Sequence, residues 1–105
     1  RQLDGTVSPL RVLPRIVAAC PEVPVMIDSG FRRGTDVLKA LALGAKFVFI
    51  GRPFNYAASV AGEAGVRMAI ALLREEVSRN MGMLGITQLS ELDASYLLPA
   101  GSQNP

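Results

Sequence analysis

Two short apolar runs, "VPVMID" at residues 23 to 28 and "KFVFI" at residues 46 to 50, flank one helix-forming stretch, "TDVLKALALG" at 35 to 44, and this order constrains the chain more than any other feature. Runs of this length rich in β-branched and aromatic residues suit buried strands, and Pro24 falls near the start of the first, where a missing amide is tolerated. The stretch between them opens with Thr35 as a candidate cap and Asp36 in the positively polarised first turn. It is dominated by alanine and leucine and closes on Gly44, a left-handed stop. A strand, a helix and a strand joined by short loops make a parallel pair with a right-handed crossover, and parallel strands are expected to be covered on both faces.

Elements on either side extend the pattern. Ser8 followed by Pro9 is a helix entry, since serine caps free amides and proline gives up a donor that lacks a partner there. Pro14 is expected to end a first turn and restart a second segment, because an interior proline costs about 3 kcal/mol. After the second strand, "GRPFNYAASVAG" reads as a short helix. A long helix then runs from about Val66 to Leu84, with Val66, Ile70, Leu73, Val77, Met81 and Leu84 on one packing face and Gly85 as its stop. "TQLSEL" is expected to add a further turn or two, before a tail.

Two strands cannot make a sheet covered on both faces, so more are expected, in a closed eight-stranded barrel or an open doubly wound sheet. The 105-residue length, 50% hydrophobic content and mean hydropathy of +0.31 point the same way, towards one part of a larger α/β domain. A net charge of +2, with no basic run, argues against nucleic acid or an anionic membrane surface as partner. One cysteine and no histidine remove internal disulfides and the usual Cys/His metal sets, in keeping with a reducing compartment. Cys20 is expected to be a small buried residue and the four methionines to fill the core. No apolar stretch of about 18 residues is free of charge, glycine and proline.

The polar residues with chemistry in reach gather at two corners. Asp28, Ser29, Gly30, Phe31, Arg32 and Arg33 leave the first strand, and Gly51 with Arg52 leaves the second. In parallel α/β architectures ligands bind at such carboxyl-end turns, and in eight-stranded barrels the last two, with a short extra helix, often form a phosphate site. Glycine at a strand-to-helix turn is common on steric grounds alone, and arginines near helix starts are often merely solvated. Two consecutive glycine-arginine turns, one followed by a short helix, favour an anion: glycine admits a close approach, helix-start amides point at it, and arginine offers a two-pronged contact. Asp28 would orient Arg32 or Arg33 or meet a cofactor hydroxyl, since a carboxylate repels phosphate. Neither a G-x-G-x-x-G nor a Walker lysine sequence occurs.

Taken together, "RQLDG", "IDSGFRRGTDVLKALALGAKFVFIGRP" and "GEAGV" before a long amphipathic helix resemble the C-terminal part of the FMN-dependent 2-hydroxy acid oxidases and dehydrogenases, the family of glycolate oxidase, lactate oxidase, mandelate dehydrogenase and flavocytochrome b2. The resemblance runs from Arg1 to about Leu98. It implies the C-terminal part of a (β/α)8 TIM barrel in residues 1 to 98, with the two apolar runs as strands seven and eight with their helices, and 99 to 105 as a tail. It implies that FMN is the cofactor, its phosphate held by Asp28, Ser29, Gly30, Phe31 and Arg32 and by Gly51 with Arg52, while Arg33 serves structure or the surface. The family motif His-Gly-(Gly or Ala)-Arg-Gln-Leu-Asp is matched in its second half by Arg1, Gln2, Leu3 and Asp4. Arg1 is thereby implied as the catalytic residue that grips the substrate carboxylate, with a histidine base three residues before it; Asp4 either contacts that loop or caps a turn. Phe54 and Tyr56 are expected to be packing residues.

The implied reaction is oxidation of a small L-2-hydroxy acid, such as lactate, glycolate or mandelate, to the 2-oxo acid. The implied partners are the N-terminal remainder of the same enzyme and further copies in a homotetramer. The implied location is cytoplasmic, with membrane association through segments outside this chain as the other option. Two readings compete: another FMN- or phosphate-binding barrel, similar to inosine monophosphate dehydrogenase or glutamate synthase, from which "RQLD" separates it, and a non-catalytic flavin-binding module, from which the upstream histidine would.

Overall fold

The computed structural model describes residues 3–101, so Arg1, the substrate-binding candidate, lies outside the described residues. Helix α1 (Pro9–Ala19) leads to strand β1 (Met26–Ile27), helix α2 (Gly34–Ala42), strand β2 (Phe47–Val48) and helix α3 (Arg52–Leu84), followed by 3-10 turns at Leu89–Glu91 and Ala94–Tyr96. β1 and β2 pair in parallel, Met26 opposite Phe47 and Ile27 opposite Val48. The amides of Lys46 and Phe49 donate to the carbonyls of Val25 and Ile27, both at 2.8 Å. The strand-helix-strand order read from the sequence therefore holds. Each ladder is only two residues long, because a strand with one neighbour is regular only where that neighbour runs alongside.

The two faces of this ribbon differ. Ile27 is buried and Val48 and Ile50 are partly so, packed into a core that holds Leu13, Phe31, Ala40 and Ala45. Met26, Phe47 and Phe49 turn the other way and are exposed, the two phenylalanine rings 4.9 Å apart and tilted by 55°. Coverage of both faces is thus met only on the helical side among the described residues. The alternation follows from the two-residue period of a strand.

α1 starts as the sequence indicates, with Ser8 at its cap and Pro9 first, but it runs unbroken through Pro14. Burial decides this: Leu13, next to the proline, is 2% exposed, and its place in the core offsets the bond that the exposed proline cannot donate. Cys20, expected inside, is exposed where α1 ends. Three of the methionines, Met26, Met68 and Met83, are exposed too. Their positions fall on faces with no described neighbour.

α3 is two helices. Ala61 (φ −148°, ψ 25°) and Gly62 (φ 54°, ψ −134°) break it into the short and long limbs that the sequence indicated, although the second resumes at Glu63 rather than Val66. The limbs touch through their backbones, since a Cβ on Gly65 would stand 2.0 Å from the Ala57 carbonyl oxygen. By length and hydropathy the 33 residues together could cross a bilayer, but the break divides them and the long limb carries Glu63, Arg67, Arg74, Glu75, Glu76 and Arg79. On that limb Val66, Leu73, Val77 and Met81 are partly buried as expected, while Ile70 and Leu84 are exposed. Ala69, Glu76 and Asn80 share the inward face with the first four. Gly85 adopts a left-handed φ of 75°, and the amide of the buried Ile86 closes the helix on the Met81 carbonyl at 3.0 Å.

The start of α2 differs from the Thr35 cap suggested by the sequence. Arg33 is the cap, and Asp36 accepts its amide through Oδ2 at 3.0 Å and the amide of Arg32 at 3.1 Å. Gly34 then lies against the long limb of α3, where Glu76 closes the contact: Oε2 accepts the Gly34 amide at 2.6 Å, and Oε1 accepts Nε of Arg33 at 2.8 Å and forms an ion pair with its Nη2, also at 2.8 Å. A Cβ on Gly34 would stand 2.6 Å from the Glu76 Cβ and 2.9 Å from the Val77 nitrogen.

Gly34→Ala in the intact protein is therefore expected to lower the urea midpoint by a destabilisation of about 1–3 kcal/mol, the usual cost of overpacking; an unchanged midpoint would show that α2 and α3 are free to move apart. The Glu76 carboxyl is held below its ordinary value of 4.5, first by the Arg33 hydrogen bond and then by the Gly34 amide, and the same pairing raises Arg33. A carboxyl depressed on folding contributes stability above its unfolded value and loses it as acid protonates the folded state. The stability difference between the natural protein and Glu76→Gln should thus be full at neutral pH and shrink as pH falls below 4.5, measured by urea unfolding across that range.

Candidate functional site: two turns on one edge

Because β1 and β2 are parallel and adjacent, the turns that leave them emerge from the same edge. Continuing the register past its last pair brings Gly30 level with Gly51. The first turn is set by two successive left-handed residues, Ser29 (φ 80°) and Gly30 (φ 85°). Glycine tolerates this freely; for serine it is an uncommon conformation, of the kind that concentrates at ligand sites when its surroundings impose it. The surroundings here are Ile27 and Phe31 on either side, buried at 6% and 5% exposure. With both ends anchored in the core, the residues between must arch outward, and Asp28, Ser29 and Gly30 are all exposed.

Among the described residues the amides of Ser29, Gly30 and Phe31 meet no acceptor, whereas those of Arg32 and Arg33 are taken by Asp36. The second turn is alike in kind. Gly51 caps α3 without a side-chain bond, Arg52 is the first helical residue, and Pro53 follows where a missing amide costs nothing. Helix-start amides carry partial positive charge, and those of Gly51 and Arg52 are likewise left without an acceptor among the described residues. Beside both Gly30 and Gly51 the space a Cβ would occupy is open, with nothing within 4 Å.

The arginines separate into two kinds. Arg33 is committed to Glu76, which agrees with a structural role for it. Arg32 and Arg52 are exposed and form no ion pair among the described residues, so both guanidinium groups are available at this edge. Asp28 pairs with neither Arg32 nor Arg33 there; the carboxylates that organise this turn are Asp36 and Glu76. Phe31 enters the site only through its backbone, since its ring belongs to the core. Phe54 is partly buried, as a packing residue would be, while Tyr56 is 64% exposed. An open apolar groove of about 800 Å³ lies between α2, β2 and the long limb of α3, and no residue of either turn lines it.

Free amides, glycines with room beside them and two unpaired arginines suit a phosphate-bearing group, so the residues present fit an FMN phosphate. The family described as FMN-dependent dehydrogenase matches residues 1–99. An L-lactate oxidase of Nostoc sp. is 48% identical over 98 residues, covering 92% of this chain and 27% of that protein. An (S)-mandelate dehydrogenase of Pseudomonas putida is 43% identical over 104 residues, covering 99% of this chain and 26% of that one. A solved structure of a flavocytochrome b2 variant with sulfite bound superimposes with a TM-score of 0.90 at 42% identity, over 100% of this chain and 29% of that one. The chain thus spans about a quarter of the length of the relatives it matches. A match over nearly every residue, with the same backbone course, leaves one conclusion about descent: this chain belongs to the FMN-dependent dehydrogenase family.

Proposed function

We propose that this chain is the cofactor-anchoring end of an FMN-dependent oxidoreductase that converts an L-2-hydroxy acid to the 2-oxo acid, with β1 and β2 as the seventh and eighth strands of a (β/α)8 barrel. Residues 1 to 98 are its barrel portion and 99 to 105 its tail; further strands cover the exposed Met26, Phe47 and Phe49. The observation that carries this reading is the pair of neighbouring turns whose open glycines, free amides and unpaired arginines share one edge.

In this reading the amides of Ser29, Gly30 and Phe31 and those of Gly51 and Arg52 donate to the phosphate oxygens, and Arg32 and Arg52 neutralise their charge. Asp28 sits at the near side of the turn, suited to a cofactor hydroxyl rather than to the phosphate. Arg1 grips the substrate carboxylate, for which its planar fork gives two parallel hydrogen bonds and fixes the orientation of the carbon to be oxidised. FMN, when bound, supplies the acceptor for the two electrons. The relatives named for lactate and mandelate support a small 2-hydroxy acid as substrate. The exposed Cys20 suits a reducing, cytoplasmic setting.

Arg32→Ala and Arg52→Ala in the intact flavoprotein should each weaken FMN binding by about 1.5–3 kcal/mol, the range for charge-assisted hydrogen bonds, measured as a flavin dissociation constant. Full flavin retention in both variants would defeat the phosphate assignment. The reaction itself is tested by incubating the intact flavoprotein without oxygen with lactate, glycolate, mandelate and longer 2-hydroxy acids. Bleaching of the flavin with stoichiometric 2-oxo acid is expected for at least one of them, and no bleaching with any would refute the activity.

A further inference from the structure

We infer that Glu76 is a positioning residue for the phosphate-gripping turn and thereby sets the preference of the protein for a phosphorylated flavin over the phosphate-free one, an inference that rests on the reading above. Glu76 lies on the long limb of α3, 44 positions after Arg32 in the sequence, yet both of its hydrogen bonds and its ion pair go to the two residues that directly follow Arg32. Oε2 holds the Gly34 amide at 2.6 Å and Oε1 holds both Nε and Nη2 of Arg33. Asp36 takes the Arg32 and Arg33 amides from the other side. The exit of the turn is thus fixed by two carboxylates just beyond the buried Phe31, while its entry is fixed by the buried Ile27. The segment between has little freedom except at the left-handed Ser29 and Gly30, so the direction in which Arg32 leaves the backbone follows from where Glu76 holds its neighbours.

Gly34 closes off the slack. Its backbone already touches Glu76 and Val77 at distances that exclude even a methyl group, so the turn cannot settle closer to α3 if the carboxylate lets go. The pairing also removes Arg33 from competition. Two adjacent guanidinium groups could seat an anion in two ways; with Arg33 bound to a carboxylate, Arg32 is the one of the two left uncommitted. Electrostatics by itself points in the opposite direction. A carboxylate near a phosphate site repels the ligand, so removing that charge without any loss of position would tighten FMN binding. The sign of the effect therefore separates positioning from simple charge.

The test compares dissociation constants for FMN and for riboflavin, which lacks the phosphate, in the intact apoprotein by flavin fluorescence. Glu76→Gln keeps the shape and loses the charge; FMN should bind about fivefold more weakly, the difference between a charge-assisted and a neutral hydrogen bond, with riboflavin unchanged. Glu76→Asp keeps the charge and shortens the reach, and it should also weaken FMN alone; it serves where the glutamine variant fails to fold. Tighter FMN binding in Glu76→Gln, or equal weakening of both flavins in the two variants, would overturn the inference. Arg32→Ala is the reference: if it leaves the ratio of FMN to riboflavin affinity unchanged, the phosphate reading itself falls. If it lowers that ratio and the Glu76 variants do not, only the role of Glu76 falls.

Discussion

The main-chain pairing of β1 with β2 is the constraint from which the site follows. The ladder of Met26 and Ile27 with Phe47 and Val48, flanked by bonds from the amides of Lys46 and Phe49 to the carbonyls of Val25 and Ile27, sets the strands side by side and in the same direction. In a parallel pair every strand ends at the same edge, so whatever the sequence places after one strand neighbours what it places after the next. An antiparallel pairing of the same strands would put Gly30 and Gly51 at opposite edges, and Arg32 and Arg52 with them. α2 imposes the parallel direction: as a helix between the strands it returns the chain to the edge where β1 began. Gly44, left-handed at φ 102°, makes that return tight enough for Ala45 to enter the core.

Much of this was legible because it was local. Pro9, Gly44 and Gly85 act within a turn of where they stand, and the structure uses each as its own chemistry dictates. The residues that were illegible act at a distance or depend on which face is covered. Glu76 looks like one of several charges on an amphipathic helix, and nothing within a turn of it reveals that its partners lie more than forty positions earlier. Pro14 reads as a breaker until Leu13 is seen in the core. Cys20 and Met83 read as interior by residue type, yet type says nothing about whether a neighbour arrives to cover them. The left-handed Ser29 had no signal at all, since serine carries no mark of positive φ.

The two carboxylates near the first turn show how charge can brace a turn from its far side. Asp36 and Glu76 lie beyond Arg32 in the chain and are occupied by amides and by Arg33, so their charge is largely answered before any ligand arrives. Asp28, at the start of the turn, is the one with no such answer among the described residues. The answered pair holds the frame of the turn.

The elbow in α3 has a mechanical consequence. Gly65 and Ala57 meet backbone to backbone, so the angle between the limbs is limited by atoms that cannot rotate away. Arg52 stands at the far tip of the short limb, five residues from Ala57 and so about 7.5 Å from that contact at the usual helical rise. Any side chain at position 65 would act as a wedge at the fulcrum of a lever, and the small opening it forced there would be magnified at the tip. A methyl group at the elbow would thus displace the Arg52 guanidinium while leaving every residue at that edge unaltered.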